Sequence, residues 1–393
     1  VTAPQPADGA LPLRILAVLA LLACFGPLAT DTYLSAFADM KPALGASDTG
    51  IAASISVFIF GLATGQLLYG PLSDRFGRKP PLLAGTALFT VSSALAAFAQ
   101  GIEWFLLLRL MQAVGGCCGI ILGRAIVRDL REGPELARAY SLLSMIGMGA
   151  PLVAPVLGLA VIQLAGWRAI FVGLAVLGLA CLAAIAFLLP ETLVEARRQR
   201  SVAPVRIARS FAALLARPRF LFAALTTGSA AGVIFSNVTG SSAAFIGQFG
   251  LSRGSYATLF TAIVVAMMAG SQLNRRAVAR GTPPAALVTR ALTANLFAAV
   301  GLFPAALLGV WPMFAMLLLV TALLGFILPN SAAAAMNEAG DHAGSAASLL
   351  GVIQFGSGFA VSLIVAGLQN GSAWPMLGGM AGSMALGALA WRA

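Results

Sequence analysis

Twelve apolar runs, each long enough to cross a lipid bilayer, occupy most of this chain and leave little else to fold. They fall at about 13–37, 50–72, 80–99, 102–125, 138–163, 168–189, 219–246, 255–273, 285–309, 312–335, 345–369 and 373–391. A helical span needs about 20 mainly apolar residues. Runs of roughly 22 leave about 129 of the 393 residues for loops and tails, too few for a hidden soluble domain. With 60% apolar residues, 9% charged and a mean hydropathy of +0.94, the chain cannot stay dissolved as a soluble body. The fold class is therefore all-α integral membrane, with twelve transmembrane helices. The first run continues into a polar Asp-Thr-Tyr end and precedes eleven more, so it reads as a retained span and not as a secretory leader. Val1 is not a start residue, so N-terminal trimming or processing is expected.

Charge placement orients the chain. The net charge of +11 would suggest a nucleic-acid partner in a soluble protein. Here Arg14, Arg75, Arg78, Lys79, Arg128, Arg131, Arg138, the arginines from Arg197 to Arg219, Arg275, Arg276, Arg280, Arg290 and Arg392 all lie at one set of span ends. Only Lys41, Arg168 and Arg253 lie opposite. That asymmetry is the positive-inside pattern, predicts both termini in the cytoplasm, and calls for a bilayer with no nucleic acid. Cys24, Cys117, Cys118 and Cys181 all sit in apolar spans, without disulfide or metal-ligand spacing, and read as small hydrophobes.

Gly101, Gly166-Trp167, Phe249-Gly250, Trp311-Pro312 and Asn370-Gly371 punctuate the joins. Residues 191–218 form the longest connection, an arginine-rich linker between a six-span half at 1–190 and another at 219–393. It reads as a basic loop that sets topology, or as one that also touches anionic lipid headgroups. A weak repeat supports the division: DRFGRKPP after the second span returns as NRRAVARGTPP after the eighth, without its acid. A repeated half places the substrate path between halves near the midplane and moves by rocking.

Ionisable groups inside spans point to function, because each costs on the order of 2.5–3.5 kcal/mol at the bilayer centre. Asp31 is the clearest acid, Arg109 its basic counterpart, and Gln112 lies on nearby helical surface. At ~1.5 Å per residue both ionisable groups lie roughly 10 Å below the outer surface, so they could meet or share one water-filled cavity. Asp31 is expected to bind the proton; the alternative is a permanent structural ion pair with Arg109. Glu103 reads as an interfacial anchor, and His342, in the loop NEAGDHAGS, as a loop residue and not a catalyst. Tyr33, Gln112, Asn237, Asn330, Gln354, Phe355 and Phe359 are candidates for the substrate cavity, although Asn and Gln within spans also bridge helices.

The segment GPLSDRFGRK supplies gating candidates Gly70, Asp74, Arg75, Gly77 and Arg78, with Arg128 as the expected partner of Asp74. In GMGAPLVAPVLG, Pro151, Pro155 and Gly158 suit either close packing or a hinge.

Together these segments resemble the major facilitator superfamily over nearly the whole chain, and within it the bicyclomycin/chloramphenicol-resistance (Bcr/CflA) drug:proton antiporters. GPLSDRFGRK resembles the superfamily's first-loop signature, LLLRLMQAVGG its span-four proton-coupling motif, and APLVAPVLG with GWRAIF the antiporter motif of span five. DTYLSAFADM, RAIVRDL and HAGSAASLLGVIQF look like the narrower family. Ala150 and Leu159 replace glycines of the antiporter motif, and Ser35 stands where relatives often have Pro. The resemblance implies two six-helix halves around a central cavity, Asp31 and Arg109 in the coupling machinery, and a bacterial inner-membrane location. It implies a monomeric exporter of amphipathic or hydrophobic drugs such as chloramphenicol- or bicyclomycin-type compounds. No GxxxxGK[ST] sequence is present, so the expected energy source is the proton gradient, with no cofactor, no metal and no enzymatic reaction. The rivals are proton-coupled export of a native metabolite and passive facilitation.

Overall fold

The computed structural model describes residues 12–131, 133–193, 204–339 and 343–392. His342 and residues 194–203 of the linker lie outside them. The described chain is helical from end to end. The first pass is broken into α1 (Leu13–Ala23), α2 (Phe25–Asp31), a 3-10 turn (Leu34–Ala36) and α3 (Phe37–Ala43). Then follow α4 (Asp48–Phe76), α5 (Lys79–Ala97), α6 (Ile102–Leu130), α7 (Gly133–Ala165), α8 (Trp167–Leu188) and the short α9 (Pro204–Leu215). The second set comprises α10 (Pro218–Ser242), prolonged by a π turn to Gln248, α11 (Arg253–Ala279), α12 (Pro284–Leu308), α13 (Val310–Asn337), α14 (Ala343–Gly367) and α15 (Trp374–Arg392). Among the described residues, 10 helical segments are long and apolar enough to cross a membrane. α7, with its apolar stretch Gly149–Ala165, and α15 complete the twelve passes.

Several helices outrun the apolar spans. α4 has 29 residues, about 43 Å at ~1.5 Å per residue, against a hydrocarbon core of about 30 Å. Most of the first-loop motif is therefore the last two turns of α4, and only Gly77 and Arg78 separate α4 from α5. Gly77 closes α4 with φ 91°, its N–H bonded to the Ser73 carbonyl at 3.1 Å; a residue with a Cβ is strained there. Between α12 and α13 the break falls at Gly309, with φ 119°, and not at Trp311-Pro312, which sit inside the first turn of α13. Proline is tolerated there because first-turn N–H groups have no helical partner.

The first pass breaks where its own residues dictate. Pro27 cannot donate to the Ala23 carbonyl, and α1 ends there. Thr30 bonds back to the Gly26 carbonyl at 3.1 Å and Thr32 to that of Leu28 at 2.6 Å, a competition with the helical ladder that favours bending. The helix unwinds after Asp31.

The helices pack as two groups. α5 and α6 lie together, with α4 on α6 and α8 on α5; α10 packs on α13, α14 and α15, with α12 on α13. The groups join along two seams, α4 against α14 and α7 against α11. Leu164, Phe187, Phe297 and Leu308 point outward and exposed, as lipid-facing residues do.

Candidate functional site: a cavity between the halves

A cavity of about 1340 Å³ lies between the two groups. Asp31 from α2, Gly119 from α6 and Pro151 from α7 face Asn237 from α10, Phe260 from α11 and Phe355 from α14. The cavity extends to the arginine-rich end, where Gly70, Asp74 and Arg128 stand opposite Ser210, Met336 and Ser348. Of the carboxylates lining it among the described residues, Asp31 is the one at depth; Asp74 is at the rim.

The far end is closed across the halves. Ser362 of α14 shares hydrogen bonds with Ser56 of α4 and Thr239 of α10, both at 2.7 Å. Beyond them, Arg253 at the start of α11 grips Asp39 of α3 through both nitrogens, each contact 2.6 Å. Such two-pronged pairs hold geometry better than single contacts.

Asp31 is 5% exposed, and its Oδ1 accepts from the Thr30 hydroxyl at 2.9 Å. Arg109 is wholly buried and turns elsewhere. Its guanidinium donates to the Gln112 amide oxygen at 2.5 Å and to the Tyr33 hydroxyl at 3.4 Å. It stacks 4.2 Å from the Phe58 ring centroid and 4.6 Å from that of Tyr33. Gln112 passes the network on to Ser93 at 2.7 Å, and Tyr33 to Ser54 at 2.8 Å. Aromatic faces stabilise a desolvated cation. Of the two arrangements the sequence left open, direct contact or a shared cavity, neither occurs: Asp31 and Arg109 do not meet, and Arg109 does not line this cavity. A permanent Asp31–Arg109 ion pair is therefore not what buries the acid.

The other cavity candidates divide. Asn237, Gln354 and Phe355 line the cavity. Tyr33 and Gln112 do not; they are buried around Arg109. Asn330 bridges helices, donating to Asn274 at 2.7 Å and to the Phe326 carbonyl at 2.9 Å. Phe359 packs on Phe60, ring centroids 4.9 Å apart. Among the gating candidates, Asp74 bonds Arg78 at 2.7 Å and not Arg128, which is exposed at the cavity rim. A partner four residues on along the chain reaches Asp74 without any movement between helices. Arg75 lies 4.9 Å from the Phe76 ring centroid. Pro151 lines the cavity and Pro155 does not.

Gly158 proves critical to packing. A Cβ there would stand 1.9 Å from the Thr32 carbonyl oxygen, so α7 seats directly against the backbone that unwinds after Asp31.

Arg78 is the hub of the arginine-rich end. It is 4% exposed and reaches Asp129 of α6 at 2.7 Å and Ser73 at 2.8 Å, besides Asp74. Burial pulls its guanidinium down, but bonds to Asp129 and Asp74 outweigh this and hold it above the ordinary arginine value. Glu191 accepts from the backbone N–H of Arg78 at 2.8 Å and of Lys79 at 3.2 Å, capping the start of α5 with negative charge.

Residues 19–363 match the model of the Major Facilitator Superfamily. The chain belongs to the major facilitator superfamily. The bicyclomycin resistance protein homolog of Haemophilus influenzae is 29% identical over 378 residues, 95% of this chain and 94% of that one. The multidrug resistance protein MdtL of Shigella flexneri is 30% identical, covering 90% and 88%. These relatives put the chain in the Bcr/CflA family. An uncharacterized MFS-type transporter of Bacillus subtilis, YdgK, is 32% identical over 96% of this chain and 94% of its own. In fold, the major facilitator resembles a D-xylose-proton symporter (TM-score 0.75, 14% identity, covering 97% and 96%). It also resembles a bacterial homolog of the lysosomal transporter Spinster, solved inward-facing and unoccupied (TM-score 0.71, 16% identity, both chains covered to 98%). Like its family, this multi-pass protein is a membrane transporter and not an enzyme.

Sequence reasoning missed three partners in this major facilitator: Asp39 for Arg253, Asp129 for Arg78, and Ser362 for Ser56 and Thr239. Asp129, one residue past Arg128 in RAIVRDL, carried a signal. The others depend on packing between halves, which no local pattern encodes.

Proposed function

We propose that the protein is a proton-coupled exporter of amphipathic small molecules, working by alternating access from the cytoplasmic membrane of a bacterium. Its relatives carry drug-resistance names, and the arginine-rich end is read as cytoplasmic. The cavity then faces the cytoplasm and the Asp39–Arg253 end faces outward. Residues 1–190 and 219–393 act as the two rocking halves, with 191–218 as the linker. One chain supplies every wall of the cavity, so a monomer suffices.

The observation that carries this reading is Asp31: a nearly buried carboxylate lining a largely apolar cavity, bonded among the described residues to Thr30 alone and with Arg109 engaged elsewhere. Closing the cavity around a charged Asp31 is costly; around a protonated one it is much less so. Proton uptake from outside displaces cargo and permits return. Proton loss to the cytoplasm readies Asp31 for new cargo. Voltage supplies about 2.3 kcal/mol per charge per 100 mV. Arg109 acts indirectly, holding Tyr33 and with it the unwound segment beyond Asp31.

The test is transport by purified protein in sealed vesicles with an imposed pH gradient. Wild type accumulates an amphipathic drug uphill, and Asp31→Asn retains cargo exchange but loses the response to the gradient. Gradient-driven uptake by Asp31→Asn at the wild-type rate refutes the proton role. Wild-type transport that never runs uphill makes the protein a facilitator.

A further inference from the structure

Most asparagine and glutamine amides buried in the spans bond to protein. Gln112 donates to Ser93, Asn295 donates to the Val320 carbonyl, and Asn330 donates to Asn274. Asn237 differs. It is 4% exposed, its Oδ1 has no hydrogen-bond partner among the described residues, and, unlike Asn295, whose oxygen is also unpartnered, it has no amide bond to a neighbouring helix there to compensate. It also lines the cavity, from the half opposite Asp31. Much of the rest of the cavity wall is apolar, with Ile234, Val238, Phe260 and Ile263 among its residues. An unmet buried amide costs free energy that a matching ligand group recovers. A ligand that displaces water there without replacing its bonds loses affinity.

Resting on the export reading, we propose that Asn237 is a specificity-determining anchor, and that the cargo is an amphipathic molecule with hydroxyl or amide groups at both ends of an apolar body. One end meets Asp31 and the other Asn237. Hydroxyl and amide groups both donate and accept, so they satisfy the Asn237 amide in either orientation. The cargo thereby bridges the two halves, and a purely hydrophobic molecule of the same size is selected against.

The test measures binding to the purified full chain for a panel of hydroxylated aromatic compounds and their deoxy congeners, altered one end at a time. Wild type prefers the hydroxylated member roughly ten-fold or more at each end, the scale of one unmet buried hydrogen bond. Asn237→Leu loses that preference at one end, keeps it at the end facing Asp31, and binds the deoxy member as well as wild type does. Asn237→Ser recovers part of the preference. Should Asn237→Leu fail to fold, Asn237→Ala is read in the same way. If the variant discriminates as wild type does, or if wild type binds both members equally, the anchor is refuted while export stands. If wild type binds no compound of the panel, the anchor is refuted, and uphill transport in sealed vesicles decides the export reading separately.

Discussion

The contact of Gly158 with Thr32 gives a sharp test of how α7 serves the proposed coupling residue, Asp31. A Cβ on Gly158 would lie 1.9 Å from the Thr32 carbonyl oxygen, 2.6 Å from its carbon and 2.8 Å from its Cα. Ordinary contact begins near 3.4 Å, so α7 and the first pass must part by roughly 1.5 Å. All three atoms are backbone, and no side chain can swing aside. Overpacking of this kind costs about 1–3 kcal/mol, while replacing a mid-helix glycine by alanine returns about 0.8–1 kcal/mol. Gly147, on the same helix, has nothing within 4 Å of its Cβ position, so only the gain applies there. Gly147→Ala should therefore be neutral or slightly stabilised, and Gly158→Ala destabilised by up to about 2 kcal/mol net. Thermal unfolding of the two purified variants measures the difference. Because the displaced segment adjoins Asp31, Gly158→Ala should also lose gradient-driven transport out of proportion to its stability and alter its pH profile. If Gly158→Ala melts at or above Gly147→Ala and transports normally, the seat at Thr32 has no functional weight.

The Asp39–Arg253 pair is about one-third exposed on each side, so it is worth at most ~1 kcal/mol. Asp39→Ala or Arg253→Ala should shift the population toward an open far end by no more than about five-fold, read as thiol labelling in a Ser56→Cys background, and the exchange of the two charges should restore closure. Arg78 is a different case: its removal strands Asp129 in a half-buried site, a loss on the order of 3–5 kcal/mol. Arg78→Ala should fail to accumulate in membranes, whereas Asp129→Asn, which keeps hydrogen bonds to Arg78, should fold and lose only part of its thermal stability. In the second half, Asn330→Ala should weaken thermal stability by about 1 kcal/mol through the lost bond to Asn274 and leave drug affinity unchanged, since Asn330 bridges helices.

The membrane architecture was legible because it rests on a local property. Runs of apolar residues bounded by Gly166, Gly250 and Gly371, all with positive φ, mark helices without knowledge of their neighbours. The repeat was legible too: Gly77 and Gly281 both end their helices with positive φ ahead of a proline-started helix. In the second copy Asn274 stands in place of the acid and accepts directly from Asn330 at 2.7 Å. What could not be read was pairing. Depth put Asp31 and Arg109 at one level, but depth says nothing of azimuth, and Arg109 faces Tyr33 and Phe58. Polarity marked Asn237 and Asn330 equally, and only packing separated the cavity residue from the bridge.

If Asp31 carries the proton as proposed, its placement lets one carboxylate govern closure at a distance. The segment from Asp31 to Ala43 begins at the cavity, unwinds at Thr32, and crosses toward the second half, where its 3-10 turn packs against α10 and α11. It ends in α3, which carries Asp39 to Arg253. Charge at Asp31 and the Asp39–Arg253 latch at the far end therefore act on the two ends of one short piece of chain. α7 presses on that piece at Thr32 through Gly158, and α7 itself packs on α11, the helix that carries Arg253. Rocking of the halves along the α7–α11 seam must move this segment, and a change in the cost of burying Asp31 must bias the rocking. Linkage makes the relation reciprocal: whatever opens the far end alters the proton affinity of Asp31 by the same factor that protonation alters opening. Breaking the latch with Arg253→Ala should then shift the pH midpoint of transport, although Arg253 touches neither cargo nor Asp31. A midpoint identical to wild type, with the far end measurably more open, refutes the coupling through this segment.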